Sequence, residues 1–208
     1  MELSQKNIFY LSMINTIIFA TNNQNKVAEI RKVLQGFFEV ISLKEGGIDI
    51  DIPEPYDTLE ENASTKSATI FKLTGSNCFS EDTGLFVGAL NGEPGVKSAR
   101  YAGEPASNKA NIQKLLLKLQ SVENRKAYFR TVISLILNGE EHQFEGICEG
   151  VILNERRGGQ GFGYDAIFLP DGATKSFGEM TMEEKTVFSH RKKAMSKLIA
   201  FLRENIGE

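Results

Sequence analysis

The apolar run Ile17-Ile18-Phe19-Ala20 and the polar run after it, Thr21-Asn22-Asn23-Gln24-Asn25-Lys26, decide the fold class of this chain. A short continuous apolar run is typical of a buried strand. Apolar residues then recur at helical spacing, at Val27, Ile30, Val33 and Leu34. Gly36 is predicted to end that helix. A strand followed at once by a helix predicts an α/β layer.

The same alternation continues through the first half of the chain. Residues 38–43 are predicted to form a second strand, which leads into an acidic loop with prolines at residues 49–55. Thr58-Leu59-Glu60-Glu61 has the spacing of a capping box, so a helix is predicted from there to about residue 74. Residues 78–80 are predicted to form the next strand.

The second half of the chain favours antiparallel pairing. Asn138-Gly139 is a strong hairpin signal, and it lies between strand-like runs at residues 127–137 and 142–153. A helix is predicted before the hairpin at residues 107–119. A short strand at 166–169 and an amphipathic helix at 191–202 are predicted after it. Because no repeat or low-complexity linker divides the chain, we expect two lobes rather than separable domains.

Length and composition limit the classes of function. With 208 residues, of which 41% are hydrophobic and 25% charged, the chain can form one large domain or two lobes sharing a cleft. A net charge of -3 gives no general attraction to nucleic acid or membrane, so locally placed lysines and arginines must bind any phosphate. Cys78 and Cys148 lie in apolar runs, and with only His142 and His190 there is no zinc spacing. A reducing cytoplasm and a small anionic partner are expected.

The first residues do not resemble a targeting segment. Residues 7–20 are fairly apolar, but they contain polar side chains, lack a basic start and are too short to span a membrane. The regular pattern begins only at Met13. Residues 1–12 are therefore expected to be an upstream start or a disordered extension, and residues 13–208 a single two-lobed domain.

The acidic segment Ser80-Glu81-Asp82-Thr83-Gly84-Leu85 is the first candidate for chemistry. Two carboxylates leaving a strand into a glycine turn offer hard oxygen ligands for Mg²⁺ and a base that could deprotonate water. Cleavage of a phosphate ester or anhydride requires both. The alternative is an ordinary acidic turn without a function.

A second group of residues suits phosphate. The segment from Thr21 to Lys26 combines the free backbone N–H groups of a helix start with hydroxyl, amide and lysine side chains. A polar turn with an N-cap is the alternative, and the GxxxxGK[ST] pattern of a P-loop is absent. Lys66 and Arg100 could also reach a phosphate, although an exposed helix lysine is usually only solvated.

A third group suits a nucleobase. The glycine-rich stretch at residues 158–165 carries Phe162, Tyr164 and Asp165, and aromatic faces stack on purines while a polar group can read the edge of the base. The alternative is an aromatic corner of the core. Near the end of the chain, polar donors occur in Glu183-Glu184-Lys185 and Ser189-His190-Arg191. Such donors could bind the 6-oxo group of a purine and reject a 6-amino group. Here the alternative is a basic helix N-terminus.

Taken in order, these segments resemble the motifs of the inosine/xanthosine triphosphate pyrophosphatase family. The matching segments are residues 19–26, 61–66, 81–85, 98–104, 161–165 and 183–191. The resemblance covers the chain from Met13 to its end. It implies an α/β fold with an elongated mixed sheet flanked by helices, two lobes around a substrate cleft, and a homodimer.

The resemblance also implies the reaction and its residues. Non-canonical purine triphosphates (ITP, dITP, XTP) and water would give the monophosphate and pyrophosphate, with Mg²⁺ as cofactor. Asp82 would be the base, and the metal ligands would be Asp82, Glu54 and Glu81. The residues implied to bind substrate are Thr21, Asn22, Asn23, Gln24, Asn25, Lys26, Lys66, Thr83, Arg100, Phe162, Gly163, Tyr164, Asp165, Lys185, His190 and Arg191.

Some differences and alternatives accompany this interpretation. Asn22 stands where many members of the family have glycine, and Lys97 stands where an aromatic residue is common. A related pyrophosphatase for modified pyrimidine nucleotides would share the phosphate-binding residues. A nucleotide-binding module without catalysis is the other alternative, but it would not need both Glu81 and Asp82.

Overall fold

The structure is a computed structural model and describes residues 16–34 and 38–206. The predicted extension at residues 1–12, the start of the regular pattern at Met13 and the helix end at Gly36 lie outside these residues. Within the described residues, no helix is both long enough and apolar enough to cross a membrane.

Strands and helices alternate in the first half, and a long hairpin dominates the second. The strands are β1 (Thr16–Phe19), β2 (Glu39–Ser42), β3 (Cys78–Val87), β4 (Pro94–Gly95), β5 (Lys126–Leu137), β6 (Glu140–Ile152) and β7 (Phe168–Pro170). The α-helices are α1 (Gln24–Leu34), α2 (Leu59–Thr74), α3 (Asn108–Lys118), α4 (Met182–Phe188) and α5 (His190–Ile206). Short 3₁₀ turns lie at Gly88–Leu90, Val96–Arg100, Asp165–Ile167 and Phe177–Glu179.

The strands form a 7-stranded sheet in the order β2-β1-β3-β5-β6-β7, with β4 paired to β3. Strand β1 runs parallel to β2, from the pair Thr16 and Glu39 onward, and parallel to β3. Strand β4 is antiparallel to β3, and β7 is antiparallel to β6. The predicted α/β class with a mixed sheet flanked by helices is therefore confirmed.

The chain divides into two compact units. Of the described residues, the first unit contains 16–56 without 35–37, together with 60–81 and 133–143. Its core includes a cluster of Ala20, Leu43, Ile70, Cys78 and Ile136. Phe19 of β1 stacks on Phe79 of β3 with the ring centroids 4.5 Å apart. The parallel pairing of β1 with β3 is thus stabilised by aromatic packing.

The second unit contains residues 57–59, 82–132 and the described residues from 144 onward. Its core is aromatic: the Phe129 ring meets Phe168 edge-on at 4.7 Å between centroids, and Phe177 packs against both. Cys148 is buried in this core, as Cys78 is in the other, and both cysteines are free. Burial raises the pKa of Cys78 to about 12 and that of Cys148 to about 11, so neither thiol is a nucleophile at neutral pH.

The hairpin is confirmed at the predicted residues. Asn138 and Gly139 have φ of 53° and 88°, the left-handed values that a two-residue hairpin turn requires. The Asn138 N–H donates to Asn77 Oδ1 at 2.8 Å. The helix predicted at residues 107–119 is also present, with Ser107 as its N-cap, because the Ser107 hydroxyl accepts from the Ala110 N–H.

The predicted end of the strand at Ser80 is wrong, because β3 continues to Val87. Gly84 is not in a turn. It lies in the strand, and a Cβ atom there would come within 2.6 Å of the Gly95 carbonyl oxygen on β4. Glycine is therefore needed for the close approach of a neighbouring backbone, which a local pattern cannot distinguish from a turn.

The segment from 165 to 190 also differs from the prediction. Residues 165–167 form a 3₁₀ turn before β7, where the sequence predicts strand from 166. Glu183-Glu184-Lys185 does not merely precede the last helix but lies in α4, which a capping box between Thr181 and Glu184 opens. Its seven residues are too few to give a clear helical period.

Candidate active site

The predicted site residues form two groups along the chain. The first unit contains Thr21, Asn22, Asn23, Gln24, Asn25, Lys26, Glu54, Lys66 and Glu81. The second unit contains Asp82, Thr83, Arg100, Phe162, Gly163, Tyr164, Asp165, Lys185, His190 and Arg191. The boundary between the units falls within β3, between the consecutive acids Glu81 and Asp82.

The turn between β1 and α1 is held by its own side chains. Thr21 Oγ1 accepts from the Asn23 N–H at 3.2 Å. Asn23 Oδ1 accepts from the N–H groups of Asn25 and Lys26, at 3.0 and 3.3 Å. The expectation of free N–H groups at this helix start is therefore wrong for these two residues, because the asparagine cap already binds them.

Asn22 causes no backbone strain. Its Nδ2 donates to the Ile50 carbonyl oxygen at 3.4 Å. Among the described residues other than glycine, only Asn91 and Asn138 have positive φ. The backbone at Asn22 consequently does not need the left-handed conformation that glycine at this position would permit.

Each predicted phosphate-binding lysine of the first unit forms an ion pair with a predicted metal-binding glutamate. Lys26 Nζ lies 3.1 Å from Glu81 Oε1, and the exposed fractions of these side chains are 17% and 0%. Lys66 Nζ contacts Glu54 Oε1, with exposed fractions of 9% and 32%. Lys66 is thus a mostly buried residue with a partner, and its alternative interpretation as a solvated helix lysine is wrong.

Helix α2 holds the loop that carries Glu54. Asn62 is fully buried; its Oδ1 accepts from the Tyr56 N–H at 3.1 Å and its Nδ2 donates to the Tyr56 carbonyl at 3.0 Å. Asn62 and Lys66 are one turn apart on α2, so the same side of the helix binds the loop at Tyr56 and at Glu54. The sequence analysis assigned no role to Asn62, and its only signal was its place in the segment 61–66.

The two acids of β3, Glu81 and Asp82, lie within the strand and are buried. The Ser80 hydroxyl donates to the Ala63 carbonyl of α2, whereas Glu81 pairs with Lys26 of α1. Neighbouring side chains of a strand point to opposite faces, which explains these different partners. Glu81 is 2% and Asp82 6% exposed, so both carboxyl groups are largely shielded from bulk water.

The loop around Arg100 is fixed by a second buried asparagine. Asn111 Oδ1 accepts from the Ala102 N–H at 2.7 Å, and its Nδ2 donates to the Ala99 carbonyl at 2.9 Å. Arg100 itself is exposed, and its Nε lies 2.5 Å from Glu104 Oε1. Lys97 is exposed on the same 3₁₀ turn. The sequence analysis did not identify Asn111 either.

Asp165 organises the aromatic group of the second unit. Its Oδ2 accepts from the Phe162 N–H at 2.9 Å and from Lys185 Nζ at 2.7 Å. Gly161 has φ of 73°, and a Cβ atom there would lie 2.0 Å from the same oxygen, so only glycine allows this approach. Lys185 Nζ lies 5.2 Å from the ring centroid of Phe162.

Of the remaining residues of this group, Tyr164 and His190 pack against other side chains, and Arg191 places a cation near Phe162. Tyr164 belongs to the core, burial raises its pKa, and its hydroxyl donates to the Ser98 carbonyl at 2.9 Å. Tyr164 is therefore packed into the core of the second unit. His190 stacks on Phe129 at 4.7 Å, and the Arg191 guanidinium lies 5.7 Å from the Phe162 centroid. Half-buried Phe162 thus has two cations near its ring.

Thr83 and the predicted metal donors are the last of the candidate residues. Thr83 Oγ1 lies 2.6 Å from Thr131 Oγ1, within hydrogen-bonding distance. In the part of the chain that the structure describes, no group of three or more His, Cys, Asp or Glu side chains is assembled to hold a metal ion. The site offers separate carboxylates, of which Mg²⁺ commonly uses one or two together with phosphate oxygens.

Comparisons with known proteins cover nearly the whole chain. A family model described as the Ham1 family matches residues 17–201. A dITP/XTP pyrophosphatase of Porphyromonas gingivalis is 52% identical over 187 residues, which cover 89% of this chain and 96% of that protein. A dITP/XTP pyrophosphatase of Christiangramia forsetii is 47% identical over 186 residues, which cover 89% of this chain and 98% of that protein.

Solved structures show the same fold. The Ham1 protein of Staphylococcus aureus superposes with a TM-score of 0.82 and is 40% identical, over 91% of this chain and 98% of that one. The HAM1 protein of Coxiella burnetii has a TM-score of 0.83 and is 36% identical, over the same shares of the two chains, 91% and 98%.

Proposed function

Because the chain belongs to the Ham1 family, we propose that it hydrolyses the non-canonical purine triphosphates ITP, dITP and XTP to a monophosphate and pyrophosphate. The observation that carries this proposal is near-full-length similarity to proteins named dITP/XTP pyrophosphatases, at 52% and 47% identity. The side chains described above suit this chemistry, since lysines, carboxylates and an aromatic face with donors match a triphosphate, a metal ion and a purine.

Mg²⁺ is the proposed cofactor, and the donor set fits it. Glu54, Glu81 and Asp82 provide carboxylate oxygens, the ligands that Mg²⁺ prefers, and the phosphates of the substrate would provide the rest. When bound there, Mg²⁺ would neutralise phosphate charge and polarise the phosphoryl group under attack.

Asp82 is the proposed base. Its carboxylate would take a proton from water while the water oxygen forms a bond to the α-phosphorus. The bond from that phosphorus to the bridging oxygen breaks, and pyrophosphate leaves with the electron pair. Lys26 and Lys66 would offset the negative charge that opposes the attacking oxygen. The sequence of steps needs no covalent intermediate, consistent with two buried cysteines of raised pKa.

The second group of residues would bind the base. Phe162 offers a ring face, and Asp165 fixes the backbone beneath that ring through the Phe162 N–H. Lys185 and Arg191 would donate to the 6-oxo group of hypoxanthine or xanthine, which adenine lacks. Thr21, Asn22, Asn23, Gln24, Asn25, Thr83 and Arg100 remain proposed phosphate contacts, and Gly163, Tyr164 and His190 remain proposed parts of the base pocket.

We further propose a cytoplasmic homodimer without nucleic-acid or membrane partners. The net charge of -3 gives no general attraction to either kind of polyanionic surface. The residues from 13 onward would form one two-lobed catalytic domain. Sedimentation velocity at micromolar concentration would test the dimer, and a monomer at every concentration would contradict it.

A nucleotide panel tests the function and the reading of the base together. Pyrophosphate release from ITP, XTP, dITP, ATP, GTP and dUTP is measured with Mg²⁺ and with EDTA. We expect ITP, XTP and dITP to be preferred and EDTA to abolish release. In the Arg191→Ala variant, ITP should lose about 1–3 kcal/mol of transition-state stabilisation and ATP much less.

The control for this experiment is Arg203→Ala, which removes an exposed arginine from the same helix and should leave the preference unchanged. Equal proportional losses on ITP and ATP would remove Arg191 from the reading of the base. A preference for dUTP would replace the purine assignment with a pyrimidine one.

A further inference from the structure

The same arrangement occurs twice in the first unit. A lysine proposed to bind phosphate is neutralised by a glutamate proposed to bind metal, at Lys26 and Glu81 and again at Lys66 and Glu54. These pairs lie on different elements: one joins α1 to β3, and the other joins α2 to the loop before it. Each lysine therefore has a negative partner that a triphosphate must displace or share.

Each pair has one mostly buried member, which makes the two partners hard to separate. The Glu81 side chain is fully shielded and the Lys66 side chain is 9% exposed. Removing one member of a buried ion pair leaves an uncompensated charge in a medium of low dielectric, which is strongly unfavourable. A phosphate that attracts Lys26 or Lys66 would leave a carboxylate behind, and a divalent cation is the natural replacement for the lost positive charge.

We infer that both ion pairs exchange partners when the metal–nucleotide complex binds, so that phosphate takes the lysines and Mg²⁺ compensates the glutamates. This inference rests on the proposed function and describes how the same site is regulated. The consequence is mutual dependence of the ligands. Metal-free nucleotide competes with Glu81 and Glu54 for the lysines, and nucleotide-free Mg²⁺ competes with the lysines for the glutamates.

The lack of an assembled metal-binding cluster among the described residues supports the mutual dependence of Mg²⁺ and nucleotide. Among residues 16–34 and 38–206, no cluster of three or more carboxylate, imidazole or thiol groups could bind a metal ion without other ligands. An Mg²⁺ ion held by one or two carboxylates commonly takes its other ligands from substrate phosphates and water. By linkage, whatever factor Mg²⁺ adds to the affinity for nucleotide, nucleotide adds to the affinity for Mg²⁺.

Asn62 keeps the loop that carries Glu54 attached to α2 during the exchange of partners. It binds both the N–H and the carbonyl of Tyr56, so the backbone near Glu54 stays attached to α2 when Lys66 changes partner. Asn62 is a positioning residue in this scheme, because it acts on Glu54 through the loop. The carboxylate is thus released from the lysine but remains near the position it held.

The distinguishing experiment is binding of metal-free nucleotide. Isothermal titration calorimetry measures the affinity of wild-type protein for an ITP analogue with a non-hydrolysable α,β-bridge, in EDTA and in Mg²⁺. The same titrations are made with Glu54→Gln and Glu81→Gln. Because each substitution removes a carboxylate that competes with phosphate for a lysine, both variants should bind the metal-free analogue about fivefold more tightly or better. The extra affinity that Mg²⁺ gives should shrink in each.

Glu145→Gln is the matched control, since it removes a carboxylate whose partner is Arg130, and it should bind the metal-free analogue as the wild type does. Thermal melting checks that the variants fold. If Glu81→Gln does not fold, Glu54→Gln still tests the exchange, because Glu54 is partly exposed. Unchanged or weaker metal-free binding in the folded variants would overturn the exchange, even if the wild type releases pyrophosphate from ITP. A wild type that neither binds the analogue nor hydrolyses ITP would overturn the proposed function and the exchange with it.

Discussion

At the scale of single residues, the candidate site depends on polar groups that the fold has placed out of water. Asp82 is 6% exposed and Glu81 2%, although both are acids in a chain of ordinary composition. Buried acids are uncommon unless a partner or a function requires them. Glu81 has Lys26 as its partner. Asp82 follows it in the same strand and is the residue to which we assign the base.

The substitution Asp82→Asn tests this assignment directly. An amide of the same size cannot take the proton from water, so kcat for ITP should fall about 10²-fold or more while the affinity for nucleotide largely survives. Steady-state kinetics and calorimetry measure these two quantities. Asp171→Asn, the same change at an exposed position, should leave both unaltered. Near-normal turnover in Asp82→Asn would transfer the role to Glu81 or Glu54.

At the scale of elements, two loops that carry candidate residues are fixed to helices by buried amides. Asn62 holds the loop of Glu54 to α2, and Asn111 holds the loop of Arg100 to α3. Strand β3 passes close to β4 because residue 84 has no side chain.

The close approach at Gly84 makes a testable prediction about stability. In Gly84→Ala the new Cβ atom would lie 2.6 Å from the Gly95 carbonyl oxygen, so the strands must separate or distort. We expect the free energy of unfolding to fall by about 1–3 kcal/mol, measured by urea denaturation. In Gly159→Ala the added atom meets nothing within 4 Å, and the change should be small. Equal stability of the two variants would contradict the described pairing of β3 with β4.

The same elements explain what the sequence could and could not predict. The β1–α1 unit, helix α2 and the Asn138-Gly139 hairpin were predictable because their signals are local and lie within a few residues. The extent of β3 was not, since it depends on pairing with β4 about ten residues away. The roles of Asn62 and Asn111 depend on backbone partners six and nine or more residues away, and no periodicity marks them. Lys66 was identified, but its burial and its pairing with the partly exposed Glu54 became evident only from the contact.

At the scale of the whole molecule, the net charge requires that locally placed cations bind an anionic substrate. A chain of net charge -3 does not attract anions generally, so specificity must come from Lys26, Lys66 and the other cations described above. The chain and its relatives from Porphyromonas gingivalis and Christiangramia forsetii match over 96% and 98% of those proteins' lengths. Similarity therefore extends to both groups of candidate residues.

The position of water attack tests the central claim most directly. ITP is hydrolysed by the protein with Mg²⁺ in ¹⁸O-labelled water, and the products are separated and analysed by mass spectrometry. Attack at the α-phosphorus predicts one labelled oxygen in the inosine monophosphate and none in the pyrophosphate. Label in the pyrophosphate, or inosine diphosphate and inorganic phosphate as the first products, would contradict it.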